Sequence, residues 1–296
     1  MRIDALRSKE GMILLLELDR VPAFAESMGL SLNSEEQREI TTSLIDKMVA
    51  TYSPHMSGVV FSPEHSFDQT VALSKNAAPL FSLERKTAAV DPLVAPSLVD
   101  DWGVENIANN YGVAKLELYY HPAEKDAALK KQMVAEIHDY CQYEKIDFLL
   151  ELLVYHQAQE ELSPETLTET QLLAVQEFRN SCDMLALEYL GDSLAAVTIT
   201  AELDIPWIVT GRSRDYEQTK RELRASLESG AEGFLLGEVF WPETVTAQSQ
   251  EGAVSVSTLL TEIEHQSRDH VLELARIVNE FGSKQTKQDE KDRSEE

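Results

Sequence analysis

The chain has 296 residues, with 26 Lys and Arg against 52 Asp and Glu, which gives a formal net charge of −26 at pH 7. A chain of this length can bury a large core without disulfide bonds, and so strong an acidic excess disfavours nucleic acid and anionic membranes as partners. The two cysteines, Cys141 and Cys182, fit neither a CxxC pair nor a secreted disulfide framework. We therefore expect two buried thiols and a cytoplasmic protein.

Short apolar runs alternate with longer amphipathic stretches along the chain, which is the pattern of strands separated by helices. The predicted strands are Met12–Leu18, Gly58–Ser62, Leu80–Glu84, Val113–Tyr120, Asp147–Tyr155, Met184–Tyr189, Trp207–Thr210 and Gly233–Val239. The predicted helices are Ser34–Thr51, Pro96–Asn110, Ala123–Tyr143, Pro164–Cys182, Arg214–Ser229 and Val256–Phe281. Eight strands with interposed helices predict an α/β protein with a single parallel (β/α)8 barrel, the TIM barrel.

The end of the chain differs in composition from the rest. From Lys284 to Glu296 no residue is apolar, and charges of both signs are mixed, which indicates a solvated segment. No linker rich in Gly, Ser or Pro and no internal repeat divides the remainder. We therefore predict one barrel domain over residues 1–282 and a short disordered charged tail over residues 283–296.

Several charged residues interrupt the predicted strands. In a (β/α)8 barrel the chemistry lies at the carboxyl ends of the strands, and side chains two residues apart on a strand share a face. Lys115 and Glu117 lie on the face opposite Leu116, so we expect both to point into the barrel. Three further carboxylates stand in or just after apolar strands: Glu151, Glu188 and Glu238. A lone charge in an apolar strand is costly unless it is paired, which makes these residues site candidates. The alternative is a Lys–Glu network that only fills the barrel.

These segments resemble the class I tagatose-1,6-bisphosphate aldolase family, which includes the sulfofructose-phosphate aldolases. The resemblance extends from about Gly11 to Phe281 and is strongest in VAKLELYYHPAEKD, FLLELLVY, CDMLALEYL, PWIVTGRS and GAEGFLLGEVFW. It implies a (β/α)8 barrel that cleaves a ketose phosphate, usually releasing dihydroxyacetone phosphate, through a Schiff base between a strand lysine and the substrate carbonyl. The implied partners are a small sugar or sugar phosphate and, by resemblance only, further copies of the chain in a homo-oligomer.

The family pattern is kept only in part at the catalytic positions. Lys115 matches the family's lysine on the fourth strand, and Glu151 matches the glutamate on the fifth strand that is placed as acid and base. The Schiff-base lysine belongs to a sixth-strand motif like D-x-L-K-V-E-x-P, but that position is Ala186 here, with Glu188 two residues later. The resemblance therefore implies three catalytic candidates: Lys115, Glu151 and Glu188.

The binding motifs depart from the family as well. The first-strand Asp-Gln-Arg becomes Leu18-Asp19-Arg20, and the Gly-Arg that contacts phosphate after the eighth strand becomes Gly237-Glu238. We interpret Arg212 and Arg214 as ordinary surface arginines; the alternative is a phosphate pocket rebuilt from Arg212 and the Gly211 backbone. The substrate-binding candidates are Asp19, Arg20, Glu117, Gly211, Arg212, Gly237 and Glu238.

The departures narrow the function to three alternatives. Because an alanine cannot form an iminium, we expect the Schiff-base activity of an aldolase-like enzyme of carbohydrate metabolism to be lost or altered. Lys115 could supply the amine only with a lowered pKa, whereas its acidic neighbours favour the ammonium form. The second alternative is a catalytically inactive barrel that binds a sugar or a protein. The third is a sugar lyase or isomerase in which the gathered carboxylates hold Mg²⁺ or Mn²⁺; outside that alternative we predict no cofactor.

Overall fold

The structure is a computed structural model that describes residues 2–157, 162–243 and 255–295, with side chains of the last helix described as far as Gln285. Eight parallel strands close into a barrel in chain order, which confirms the predicted fold. The strands are β1 Ile13–Glu17, β2 Gly58–Phe61, β3 Ala78–Ser82, β4 Val113–Tyr120, β5 Phe148–Val154, β6 Met184–Glu188, β7 Trp207–Gly211 and β8 Gly233–Leu236. Each predicted strand overlaps the observed one.

Helices cover the outside of the barrel between the strands. They are α1 Val21–Ser27, α2 Glu35–Tyr52, α3 Val104–Asn109, α4 Ala127–Glu144, α5 Pro164–Phe178, α6 Ser193–Glu202, α7 Tyr216–Glu228, α8 Val256–Glu262 and α9 Arg268–Glu295. Among the described residues, no helix has both the length and the apolar character that a membrane crossing requires. The two cysteines are buried, as predicted.

Two helix predictions need correction, and two helices were missed. The predicted helix Pro96–Asn110 begins only at Val104, because the preceding loop folds back to form a bridge between Glu84 and Leu98. A π turn at Ile263–Ser267 divides the predicted helix Val256–Phe281. Helices α1 and α6 were not predicted at all; α6 begins where the Asp192 carboxylate accepts hydrogen bonds from the backbone N–H groups of the first turn. Helix α9 extends to Glu295. The predicted domain boundary at residue 282 and the predicted disorder of residues 283–296 stay predictions.

The lower half of the barrel interior is apolar. Inward side chains from all eight strands form one buried cluster, which we call the apolar layer: Ile13, Leu15, Val60, Ala78, Leu80, Val113, Leu149, Met184, Ala186, Ile208 and Leu235. A short 3-10 turn, Ile3–Leu6, closes this end of the barrel, because the side chains of Ile3 and Leu6 join the same cluster. The outward side chains of the strands pack against the helices in a separate core. The barrel is therefore a filled core at its amino-terminal end.

The barrel closes where β1 pairs with β8. At this seam Ile13 lies opposite Gly233, whose φ is +149°. A Cβ atom at Gly233 would lie 1.7 Å from the carbonyl oxygen of Ile13, so a side chain has no room there. Only glycine tolerates both the backbone conformation and the close approach.

Candidate functional site

The inward side chains change from apolar to charged toward the carboxyl ends of the strands. The change follows from the two-residue period of a strand, since Leu15 is followed on the same face by Glu17, Val113 by Lys115, and Leu149 by Glu151. Seven such side chains are at most 6% exposed and lie within one network of ion pairs. We call them the charged layer: Glu17, Asp19, Glu84, Lys86, Lys115, Glu117 and Glu151.

Lys115 lies at the centre of the charged layer. Its Nζ is 2.6 Å from a carboxylate oxygen of Glu151, 3.1 Å from Glu17 and 3.3 Å from Asp19. The predicted inward orientation of Lys115 is thus confirmed. Burial alone would lower the pKa of Lys115, but the surrounding carboxylates raise it well above its usual value. The side chain is therefore a fully buried ammonium rather than a free amine.

Lys86 is a second buried cation, which was not among the residues singled out from the sequence. Its Nζ lies 2.6 Å from Glu84, 2.8 Å from Glu117 and 2.9 Å from Asp19. Burial opposes its charge, yet Asp19 and Glu117 raise its pKa above the usual value. The signal was present, because Lys86 continues the alternation of Ser82 and Glu84 beyond the end of β3.

The carboxyl groups of the charged layer divide into two kinds. Burial, with a contribution from the Glu151 charge, raises the pKa of Glu17 to about 8, and burial also raises the pKa of Glu84. Burial also acts to raise the pKa of Asp19, Glu117 and Glu151, but neighbouring cations outweigh it and lower each pKa below its usual range. The pKa of about 8 keeps the Glu17 carboxyl protonated at neutral pH, beside the carboxylates of Asp19, Glu117 and Glu151.

Arg212 lies at the accessible edge of the network, just after β7. Its Nη2 is 2.9 Å from a carboxylate oxygen of Glu117, and the guanidinium donates a hydrogen bond to the hydroxyl of Tyr119. The guanidinium carbon is 5.2 Å from the centre of the Tyr119 ring. The side chain is 19% exposed, so its interpretation as an ordinary surface arginine was wrong. Gly211 precedes it, and a Cβ there would meet nothing within 4 Å.

A second arginine pair lies across the mouth. Arg20 follows β1, and its guanidinium is 3.1 Å from the carboxylate of Glu238, with side-chain exposures of 12% and 16%. Glu238 is held in place by the turn after β8, which begins at Gly237. A Cβ at Gly237 would lie 2.5 Å from the carbonyl oxygen of Glu17, so the turn passes directly over β1. The structure thus brings the predicted candidates Arg20, Gly237 and Glu238 together at the mouth.

Strand β6 contributes two of the predicted positions, Glu188 and Ala186. Glu188 ends the strand, and within the described residues no cation lies at ion-pair distance from its carboxylate. Burial raises the pKa of Glu188, with Arg212 acting in the opposite direction. Ala186 lies two residues earlier, fully buried in the apolar layer and opposite Glu151 in the sheet. The position that the family resemblance assigns to the Schiff-base lysine therefore offers only a methyl group.

Three carboxylates in the charged layer lie close enough together to be ligands of one divalent ion. Glu17, Glu117 and Glu151 each offer an oxygen, and these oxygens lie within 4.8 Å of one another. The donor type suits Mg²⁺ or Mn²⁺. However, the Lys115 ammonium lies 2.6 Å from Glu151, 3.1 Å from Glu17 and 4.0 Å from Glu117, and so already supplies the positive charge. The residues do not fit a divalent ion unless that lysine moves, and the metal stays a prediction.

The sequence matches no protein-family model and no curated protein. Solved structures do share the fold. An archaeal fructose-1,6-bisphosphate aldolase, whose catalytic lysine is covalently bound to the carbinolamine intermediate of its substrate, has 14% identity over 93% of this chain and 96% of its own, with a TM-score of 0.61. A fructose-bisphosphate aldolase from Slackia heliotrinireducens has 11% identity over 93% and 88% of the two chains, with a TM-score of 0.60.

A Corynebacterium glutamicum protein is similar to the same degree, with 15% identity over 88% of each chain and a TM-score of 0.60. Identities this low show a common barrel fold and leave the reaction open. The barrel is thus aldolase-like in architecture. Membership of the tagatose-bisphosphate aldolase family stays a hypothesis.

Proposed function

We propose that this chain is an aldolase-like barrel protein of carbohydrate metabolism that binds a small sugar or sugar phosphate at the mouth above the charged layer and does not form a Schiff base. The observation that carries the proposal is the loss of a usable amine. Ala186 has no amine, and Lys115 is a buried ammonium among Glu17, Asp19 and Glu151. An iminium requires an uncharged amine that the substrate carbonyl can reach.

The location of the ligand is inferred from the fold. In (β/α)8 proteins, ligands bind at the carboxyl ends of the strands, which is where this chain places its buried and rim charges. The hydroxyl groups of a sugar can donate to carboxylates and accept from guanidinium groups, so the rim suits a polyhydroxylated ligand. Arg20, Arg212 and Glu238 are the proposed contacts there. Glu188 is the proposed acid or base, since its carboxyl has a raised pKa and no paired cation among the described residues.

The test is borohydride reduction in the presence of dihydroxyacetone phosphate, followed by intact mass. A class I aldolase with its Schiff-base lysine is treated in parallel and must gain the mass of the reduced adduct. We expect no gain for this chain. A stoichiometric gain would contradict the proposal, and peptide mapping of the adduct would then identify the lysine without relying on a variant that fails to fold.

The metal-dependent alternative has one observation in its favour, the spacing of the Glu17, Glu117 and Glu151 oxygens. It makes a separate prediction. Protein purified without chelator should contain a stoichiometric divalent ion, and Mg²⁺ or Mn²⁺ should raise the melting temperature. We expect neither while Lys115 holds these carboxylates. The scaffold alternative has no turnover and binds either a sugar, as in the proposal, or a protein.

A further inference from the structure

The arginines at the mouth are already paired with carboxylates of the same chain. Arg20 lies 3.1 Å from Glu238, and Arg212 lies 2.9 Å from Glu117. A phosphate or carboxylate group on a ligand would need these same guanidinium groups, since arginine binds such anions through paired N–H donors. An anionic ligand therefore competes with Glu238 and Glu117 for these guanidinium groups.

The surrounding charges leave no surplus cation for a phosphate. The cations of the layer and rim are Arg20, Lys86, Lys115 and Arg212. The carboxyl groups are Glu17, Asp19, Glu84, Glu117, Glu151, Glu188 and Glu238. These seven carboxyl groups outnumber the four cations, and each arginine at the rim already has a carboxylate partner. The next cation, Arg214, faces the charges of Glu238 and Glu243.

A neutral polyhydroxylated ligand meets no such obstacle. Its hydroxyl groups can donate to the carboxylates of Glu188 and Glu238, which line the accessible edge. The Nε of Arg212 is buried and donates no hydrogen bond among the described residues, so it remains available for a ligand oxygen. A phosphate monoester would instead bring about two negative charges into a cluster in which carboxyl groups already outnumber cations.

We propose that Glu238 is a specificity-determining residue, which by holding Arg20 makes this site select an unphosphorylated sugar over its phosphate ester. The inference rests on the proposed function, namely that a sugar binds at this mouth. It deepens that function by naming the charge state of the ligand.

Calorimetric titration with two matched pairs of probes tests the inference: fructose against fructose 1,6-bisphosphate, and tagatose against tagatose 1,6-bisphosphate. We expect the wild-type protein to bind each free sugar at least about tenfold more tightly than its bisphosphate. In Glu238→Arg the preference should reverse, because Arg20 is released and a second guanidinium is added beside it. Glu238→Gln should narrow the difference without reversing it.

The control variant is Glu232→Arg. Glu232 is also a carboxylate paired with an arginine, Arg7, but it is 39% exposed and lies at the opposite end of the barrel. It undergoes the same change of charge and should keep the wild-type preference. Circular dichroism of each variant checks that it is folded before titration.

Each remaining outcome counts against a different statement. Wild-type protein that binds a bisphosphate as tightly as the free sugar would overturn the selectivity and leave the proposed sugar site standing. A Glu238→Arg variant that keeps the preference for the free sugar would overturn the role of Glu238. If the folded wild-type protein binds none of the four probes, the proposed function itself is contradicted, and the selectivity is rejected with it.

Discussion

The apolar layer and the charged layer are built from the same strands and the same inward faces, yet they are stabilised in different ways. In the lower layer, Leu15, Val113 and Leu149 gain stability simply by leaving water. Two residues further along each strand are Glu17, Lys115 and Glu151. Burial removes the hydration of these charged groups, and only their ion pairs with one another offset that cost. An apolar filling would be as stable as such a network. The apolar layer, at the amino-terminal end of the barrel, therefore stabilises the fold, whereas the charged layer, at the carboxyl ends of the strands, is available for function.

The largest expected effect comes from removing the central cation of the charged layer. Lys115→Met leaves Glu17, Asp19 and Glu151 without their shared partner, and we expect the free energy of unfolding to fall by about 3–5 kcal/mol. Urea unfolding measures it.

The control for this variant is Lys131→Met. Lys131 also pairs with a glutamate, Glu177, but the two side chains are 41% and 32% exposed. We expect a loss of less than about 1 kcal/mol there. If the free energy of unfolding falls by the same small amount in both variants, the charged layer does not depend on Lys115, and the proposed contrast between the two layers is wrong.

The stability that the charged layer contributes should depend on pH, whereas that of the apolar layer should not. The pKa of Glu17 is about 8 in the folded protein, against an ordinary carboxyl value in the unfolded chain. Between about pH 5 and pH 8 the folded state thus holds a proton that the unfolded state has released, so stability falls as pH rises, by about 1.4 kcal/mol per pH unit at most. Glu17→Gln should reduce this slope, and the raised pKa values of Glu84 and Glu188 should leave the remainder.

Urea unfolding across the pH series checks this, with Leu235→Ala as the control from the apolar layer. That variant should lose about 2–5 kcal/mol at every pH and keep the wild-type slope. A slope in Glu17→Gln as steep as in the wild-type protein would show that another group takes up the proton.

The smallest effect is expected at the rim. Glu238→Gln breaks the pair with Arg20, but both side chains keep some contact with solvent, and we expect a change of no more than about 1 kcal/mol. The same unfolding experiment applies. If the free energy of unfolding falls as much as is expected for Lys115→Met, the pair of Arg20 and Glu238 is needed to stabilise the barrel. The role of Glu238 would then be structural rather than the selection of a ligand.

The sequence was informative wherever the period of an element was intact. Alternation within one strand fixed the inward direction of Lys115, Glu117 and Glu151, because successive side chains must point to opposite faces. The same alternation held Glu17 and Lys86, which were passed over since one ends β1 and the other lies beyond the end of β3. Helix α6 was missed for the opposite reason: its sequence, SLAAVTITAE, is apolar on most sides and shows no helical period.

The pairing of the rim could not be read from the sequence in the same way. Arg20 follows β1, whereas Glu238 lies in the turn after β8. Arg212 follows β7 but pairs with Glu117 of β4. These distances depend on closure of the barrel, which no local pattern encodes. Family resemblance did single out Arg20, Arg212 and Glu238, but it could not say that each arginine is paired with a carboxylate of the chain itself.

The glycine seam also has a consequence for how the chain is made. β1 acquires its second neighbour only when Gly233 and the rest of β8 exist, and that pairing joins residues far apart in sequence. On a ribosome, nearly the whole barrel must emerge while the edge of β1 remains unpaired and the apolar layer remains open to water. A nascent chain of this protein thus completes its fold late. We expect one that stops short of Gly233 to depend on chaperones rather than to fold as a smaller barrel.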